Sequence, residues 1–286
     1  MDIIKIGTAG AGDLFYSKGF KNSENVPEFL ASIGLNSFEY QCGRGVRLGD
    51  EKAKLLGENA TKHSVALSIH APYYISLSTT DSEKRENNFR YLKETAHIAK
   101  IMKASRIVFH PGSVNKSTNR KNAFEIAYDA LSEIMNRLNN EGYSGILFCP
   151  ETMGKINQLG DLDETLRFCK ISDNMIPCID FGHLNSRLQG ALKSTIDFEN
   201  IFHKISEELG ENKTKMVHCH FSKIEYGKGG EKKHLTFTDN QFGPEFEPLI
   251  EVLIKKKYTP TIICESAGTQ AEDAKAMLDY YNKKLK

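Results

Sequence analysis

Several features that would narrow the function at once are missing from this 286-residue chain. No run of about 18 apolar residues occurs, so a membrane-spanning helix is not expected. The six cysteines, at positions 42, 149, 169, 178, 219 and 264, include no CxxC pair. Four of them lie in apolar strand-like runs, where cysteine behaves as a small hydrophobe, so they read as reduced core residues rather than a disulfide framework or zinc ligands. Charge of one sign is also missing. With 38 basic and 37 acidic residues the net charge is +1, and no overall field draws nucleic acid or a membrane surface. The Gly-rich turn at residues 7–13 has neither the dinucleotide-binding spacing nor a P-loop lysine, and is weak evidence for phosphate binding. No internal repeat, low-complexity segment or linker interrupts the chain.

What is present is a regular alternation. Strand-like runs cover residues 3–7, 36–42, 65–70, 105–110, 145–151, 175–180, 215–220 and 259–265. Helical periodicity covers 26–33, 50–62, 83–103, 120–140, 162–170, 195–209, 245–257 and 270–284. Eight strand-then-helix units imply parallel pairing, and predict an α/β fold: one (β/α)8 TIM barrel domain spanning 1–286. A doubly wound open sheet is the alternative. The chain starts on an apolar strand rather than a signal peptide, so a cytoplasmic location is expected.

The ends of these strands decide between the two architectures. From the third strand onward they present His70, His110, Glu151, Asp180 with His183, His220 and Glu265, and His234 follows in what reads as a long loop. In a barrel all these ends converge on one mouth; in an open sheet they spread along an edge. Five of the nine histidines fall at these positions. One strand-end histidine is ordinarily a hydrogen-bonded core residue. Five imidazoles and three carboxylates gathered without a cation would leave unpaired groups costing several kcal/mol. A metal cluster resolves the conflict, and mixed histidine and carboxylate ligation suits zinc, manganese or iron. His63, His97 and His203 lie away from the mouth and read as surface or helix-packing residues. His218 shares a strand face with His220, one layer deeper, and reads as a core residue or a support to the ligands.

The motifs His70-Ala-Pro-Tyr73, Val108-Phe-His110-Pro-Gly-Ser113, Pro150-Glu151-Thr152, Cys178-Ile-Asp180-Phe-Gly-His183, His220 and Cys264-Glu265 together resemble the endonuclease IV family of abasic-site endonucleases, which have the xylose-isomerase-like barrel. The resemblance covers nearly the whole chain. It implies a zinc-dependent hydrolase that cuts duplex DNA on the 5′ side of an abasic site, leaving a 3′-hydroxyl. Two or three Zn2+ ions, with Mn2+ as a substitute, would be the cofactors. The first ion would take His70, His110 and Glu151; the second Glu151, Asp180, His220 and Glu265; the third His183 and His234. A hydroxide between the first two ions would attack phosphorus. Tyr73 matches a family residue beside the flipped site, and Arg44, Arg47 and Lys223 are candidate phosphate contacts. The expected partner is damaged duplex DNA, the expected state a monomer.

Three departures stand out. The family places an Asp two residues before its last histidine ligand, where this chain has Lys232 in Glu231-Lys-Lys-His234, making Glu231 the candidate replacement. Phe221-Ser-Lys223 follows His220 in place of the usual Asn and Asp. The loop after the second strand, Gln41-Cys-Gly-Arg44-Gly-Val-Arg47, lacks the family's aromatic. The alternative is a sugar isomerase or epimerase on the same barrel, which needs a single metal held by Glu151, Asp180, His220 and Glu265. Glu151 and Glu265 are the expected catalytic carboxylates, doubling as proton-transfer groups in that alternative. His110, His183 and His234 are superfluous to such an enzyme and favour the multinuclear phosphodiesterase.

Overall fold

Short apolar runs covered on both faces form the core strands, and amphipathic stretches between them form the outer helices. The computed structural model describes residues 3–114 and 118–286. The first seven strands are β1 (Lys5–Ala9), β2 (Ser37–Gln41), β3 (Ala66–His70), β4 (Arg106–Phe109), β5 (Leu147–Pro150), β6 (Cys178–Asp180) and β7 (His218–Phe221). Then β8 (Ile224–Gly227) and β9 (Gly230–His234) form a two-stranded hairpin, bridged to the loop after β5 at Lys155–Gly230, and β10 (Thr261–Cys264) returns to the main sheet. All eight strands of that sheet run parallel, in the order β5-β4-β3-β2-β1-β10-β7-β6. The two terminal strands meet through the bridges Phe148–Met175 and Glu151–Cys178, and the Thr152 N–H donates to the Cys178 carbonyl at 3.0 Å. The sheet therefore closes into the anticipated TIM barrel.

The outer layer includes α1 (Gly12–Ser17), α2 (Val26–Ser32), α3 (Asp50–Lys62), α4 (Ser82–Met102), α5 (Arg120–Leu138), α6 (Leu162–Phe168), α7 (Phe181–Arg187), α8 (Thr195–Leu209), α9 (Glu211–Lys215), α10 (Glu247–Lys256) and α11 (Gln270–Leu285). Helix α8 shows why these segments are helical. A capping box between Ser194 and Asp197 starts it, and Phe198, Ile201, Phe202 and Ile205 form one buried stripe at helical spacing. Burying each such side chain contributes about 1.5–3 kcal/mol, so Phe202→Ala would cost roughly 3–5 kcal/mol. All six cysteines are free and buried, four of them on strands. No helix among the described residues is long and apolar enough to cross a membrane.

Several segments differ from the sequence expectation, and two of them bear on the barrel strands. The first strand lies at Lys5–Ala9 rather than 3–7, and the turn expected at 7–13 is divided between that strand and α1. Gly7 does not punctuate the chain but packs it. A Cβ there would sit 1.6 Å from the Ser37 carbonyl oxygen, so the glycine permits β1 and β2 to approach. The second difference is α7, which starts immediately after β6. Its N-cap is Asp180, whose carboxylate accepts the His183 N–H at 2.7 Å. A ligand-type carboxylate thus also starts a helix, which apolar periodicity alone does not signal.

Candidate metal centre

Because the barrel strands are parallel, their C-terminal ends open onto one mouth, and the carboxylate of Glu151 lies at its centre. Its Oε2 is 3.1 Å from His70 Nε2 and 3.0 Å from His110 Nε2. Its Oε1 is 3.2 Å from His183 Nδ1 and 3.3 Å from His220 Nδ1. One carboxylate therefore faces two clusters at once. Among the described residues four groups of donors lie close enough to share an ion: three at the mouth (His70, His110 and Glu151; Glu151, Asp180, His220 and Glu265; His183, Glu231 and His234) and one deeper, Cys178, His218 and His220.

Backbone contacts determine which imidazole nitrogen each group receives. His70 Nδ1 lies 2.8 Å from the Ala71 carbonyl, and His183 Nδ1 lies 2.9 Å from the Thr152 carbonyl. A carbonyl only accepts, so Nδ1 carries the proton and Nε2 keeps its lone pair. In His70 that Nε2 faces Glu151; in His183 it faces Glu231, 3.4 Å away. His220 is turned the other way: Nδ1 faces Glu151 and Glu265, while Nε2 points deeper into the barrel. Such fixed ring orientations are typical of supported metal ligands.

The donor set fits a cation better than it fits itself. Asp180 uses Oδ1 to cap α7, and its buried Oδ2 has no hydrogen-bond partner. Burial pushes the Glu151 carboxyl up, but the imidazoles of His110 and His220 outweigh it and hold it well below the usual range. Burial raises Glu265, despite the nearby imidazoles. Buried acceptors in excess of fixed protons are what a divalent ion satisfies. Histidine-rich, mixed-oxygen groups suit zinc, with manganese as a harder substitute.

The third group depends on a local irregularity. His234 ends β9 in a hairpin over the mouth, not in the loop expected from sequence, and its Nδ1 lies 2.8 Å from Ser222 Oγ. Glu231 precedes His234 by three residues, and in a regular strand side chains three apart point to opposite faces. The pairing slips between Glu225 and Tyr226: Glu225 opposes Lys233, whereas Tyr226 opposes Glu231. Lys232 is the extra residue of a β-bulge, and the bulge returns Glu231 to the face of His234. Lys232 itself points out and pairs with Glu225 at 3.2 Å.

A cavity of about 280 Å³ leads to these groups, lined among others by Tyr73, Lys155, His110 and Gln41. Tyr73 is half exposed and stands against Tyr74, ring centroids 4.4 Å apart. Arg44, exposed on the loop after β2, lies against the Tyr73 hydroxyl, and Arg47 is exposed further along that loop. Lys223 requires a correction. It is not a mouth cation but is 3% exposed, donating to the Asp239 carbonyl and to Glu245, each at 2.7 Å. The sequence reading missed two residues. Lys155, on the loop after β5, supplies a mouth cation. Glu39 in β2 lies fully buried against His218 and His220; the period-two set Ser37, Glu39, Gln41 was its only signal. His218 is fully buried one layer below His220, and burial pushes its pKa down to about 4 despite Glu39.

With the closed barrel and its mouth described, the family can be assigned. The model of the family described as xylose isomerase-like TIM barrel matches residues 27–284. The chain belongs to that family. An uncharacterized protein of Methanocaldococcus jannaschii is 33% identical over 258 residues, covering 89% of this chain and 90% of the relative. A probable endonuclease 4 of Ureaplasma urealyticum is 24% identical over 268 residues, covering 87% and 83%. Among solved structures, a D-tagatose 3-epimerase-like protein superposes with a TM-score of 0.75 at 20% identity, covering 99% of this chain and all of that one. Endonuclease IV from Thermus thermophilus superposes with a TM-score of 0.64 at 18% identity, covering 98% of each. These structural likenesses establish the fold and no more.

Proposed function

We propose that this protein is a zinc-dependent endonuclease that hydrolyses the phosphodiester 5′ to abasic sites in duplex DNA. The observation that carries the proposal is the position of Glu151, one oxygen facing His70 and His110, the other facing His183 and His220. Single-ion chemistry needs only the group of Glu151, Asp180, His220 and Glu265. Bound divalent ions supply Lewis acidity to a phosphoryl group and lower the pKa of water. The chain's own residues do the rest. Glu151 holds the imidazoles of separate groups in a fixed relation, and the Ala71 and Thr152 carbonyls fix the rings of His70 and His183. Arg44 and Lys155 draw backbone phosphates to the mouth, a local field in a chain of almost no net charge. The exposed Tyr73–Tyr74 pair offers a surface for stacking a base beside a nucleotide turned out of the duplex.

All nine ligand-type residues come from one chain, so a monomer is sufficient, and six free cysteines fit a reducing compartment such as the cytoplasm. A second reading has its own support. The four-residue group of Glu151, Asp180, His220 and Glu265 would serve a single-metal sugar epimerase, and an epimerase-like protein is among the similar structures.

One experiment separates them: incubation with a duplex oligonucleotide carrying one abasic site, against the undamaged duplex, with and without chelator, alongside elemental analysis. Selective, chelator-sensitive incision leaving a 3′-hydroxyl is expected. Two or three ions without incision would exclude this substrate while keeping phosphoester chemistry. One ion without incision would transfer the assignment to the epimerase.

A further inference from the structure

Glu39 is a fully buried charge that the ligand groups do not use. It lies in the middle of β2 with no exposed surface, and an ionised carboxylate in that position costs several kcal/mol unless every lone pair is engaged. Every one is approached. Oε2 accepts from Ser68 Oγ at 2.8 Å and from His218 Nε2 at 2.9 Å. Oε1 accepts from Gln41 Nε2 at 3.1 Å and lies 3.0 Å from His220 Nε2. Behind His218, Arg106 Nη1 stands 3.3 Å from Nδ1.

Donor and acceptor rules place the protons. A guanidinium only donates, so His218 Nδ1 is the acceptor and its proton sits on Nε2, where Glu39 receives it. His218 is thus a neutral link between Arg106 and Glu39, whose opposite charges balance within the barrel. Cys178, His218 and His220 also come close enough to suggest another cation site. Both nitrogens of His218 are already engaged there, and the adjacent guanidinium opposes a cation. That trio is structural.

We infer that Glu39 is a positioning residue for the second ligand group: lying 3.0 Å from His220 Nε2, it accepts that nitrogen's proton in a hydrogen bond when an ion occupies the group, so that Nδ1, which otherwise faces the Glu151 carboxylate at 3.3 Å, presents its lone pair among Glu151, Asp180 and Glu265. The inference rests on reading that group as a cation site. His70 and His183 have their rings set by backbone carbonyls, whereas His220 is set by a charged carboxylate, which also raises the basicity of the ring. Loss of such a supporting group costs about 10–100-fold in metal affinity.

The test compares wild type with Glu39→Gln, titrating metal-free protein with Zn2+ against a competing chromophoric chelator. One binding step is expected to weaken by about 10–100-fold while the others stay, with the thermal transition of the metal-free variant confirming its fold. Unchanged affinity in a folded variant would overturn the inference. Wild type with ¹⁵N-labelled histidines serves as a second measurement should the variant not fold. Its long-range nitrogen–proton spectra are expected to show His220 protonated at Nε2 and perturbed at Nδ1 by Zn2+ or Cd2+; perturbation at Nε2 would overturn it. Wild type that binds no ion at all would instead remove the cation site on which the inference stands.

Discussion

Gly154 and Glu231 touch so closely that no side chain fits between them. A Cβ at position 154 would stand 2.6 Å from Glu231 Cβ and 3.0 Å from Glu231 Oε2. The loop carrying Gly154 is itself held from below, since Arg187 donates to the carbonyls of Met153 and Lys155 at 3.1 and 2.9 Å. Gly154→Ala is therefore expected to displace Glu231 and weaken the third group, lowering bound metal by one ion while costing about 1–3 kcal/mol from overpacking. Elemental analysis together with a denaturation curve checks both figures. Full metal content would show that Glu231 is not a ligand.

The β-bulge makes a sharper prediction for the same group. Glu231→Ala should remove the third ion, and adding Lys232→Asp should not restore it, because residue 232 faces solvent beside Glu225. Recovery of metal in the double variant would mean that the hairpin pairs in a different register.

Glu151→Gln should leave the fold intact and reduce abasic-site incision by more than the roughly 10–100-fold that loss of a supporting residue costs. The reason is geometric: an amide has one acceptor oxygen where two clusters each need one. Steady-state incision assays with a circular dichroism control decide it. Near-normal turnover would be incompatible with a shared carboxylate.

Chelation should lower thermal stability as well as activity. Asp180 Oδ2 is buried without a hydrogen-bond partner, and Glu151, Asp180 and Glu265 crowd one another once no cation lies among them. Ligand at 100 times its Kd contributes about 2.7 kcal/mol. At about 2–4 °C per kcal/mol, removal should lower Tm by roughly 5–10 °C. An unchanged Tm would argue that the groups hold no ion.

Lys223 and Arg44 should behave oppositely. Lys223→Met removes a buried donor to Asp239 and Glu245 and should cost about 1–2 kcal/mol, a modest value because the Glu245 side chain is 58% exposed. Its DNA affinity should keep the wild-type salt dependence. Arg44→Ala should leave stability unchanged and reduce the slope of log K against log salt by about 0.9, one phosphate contact. Fluorescence anisotropy across a salt series separates the two.

The contrast shows where the sequence was readable. The barrel and its mouth residues were legible because strands and helices alternate cleanly and histidines stand at strand ends. Lys223 was misplaced because nothing local marks a lysine for burial; its carboxylate partner is 22 residues away. Glu39 was invisible for the same reason, with His218 lying 179 residues along the chain. The bulge could not be read either, since a register shift is a property of two strands together. Chemistry at the ends of regular elements is written locally, whereas support from behind it is written in the packing.

The hairpin over the mouth has a temporal consequence. His70, Glu151, Asp180, His220 and Glu265 stand on barrel strands or at their ends, so the sheet itself fixes their relative positions. Glu231 and His234 stand on a two-stranded ribbon outside that sheet, fastened to the loop after β5 by the Lys155–Gly230 bridge and the Glu231 N–H on the Gly154 carbonyl, so their opening would break those few bonds and leave the barrel ladder whole. Ions would therefore leave in sequence, the outermost first and on a separate clock.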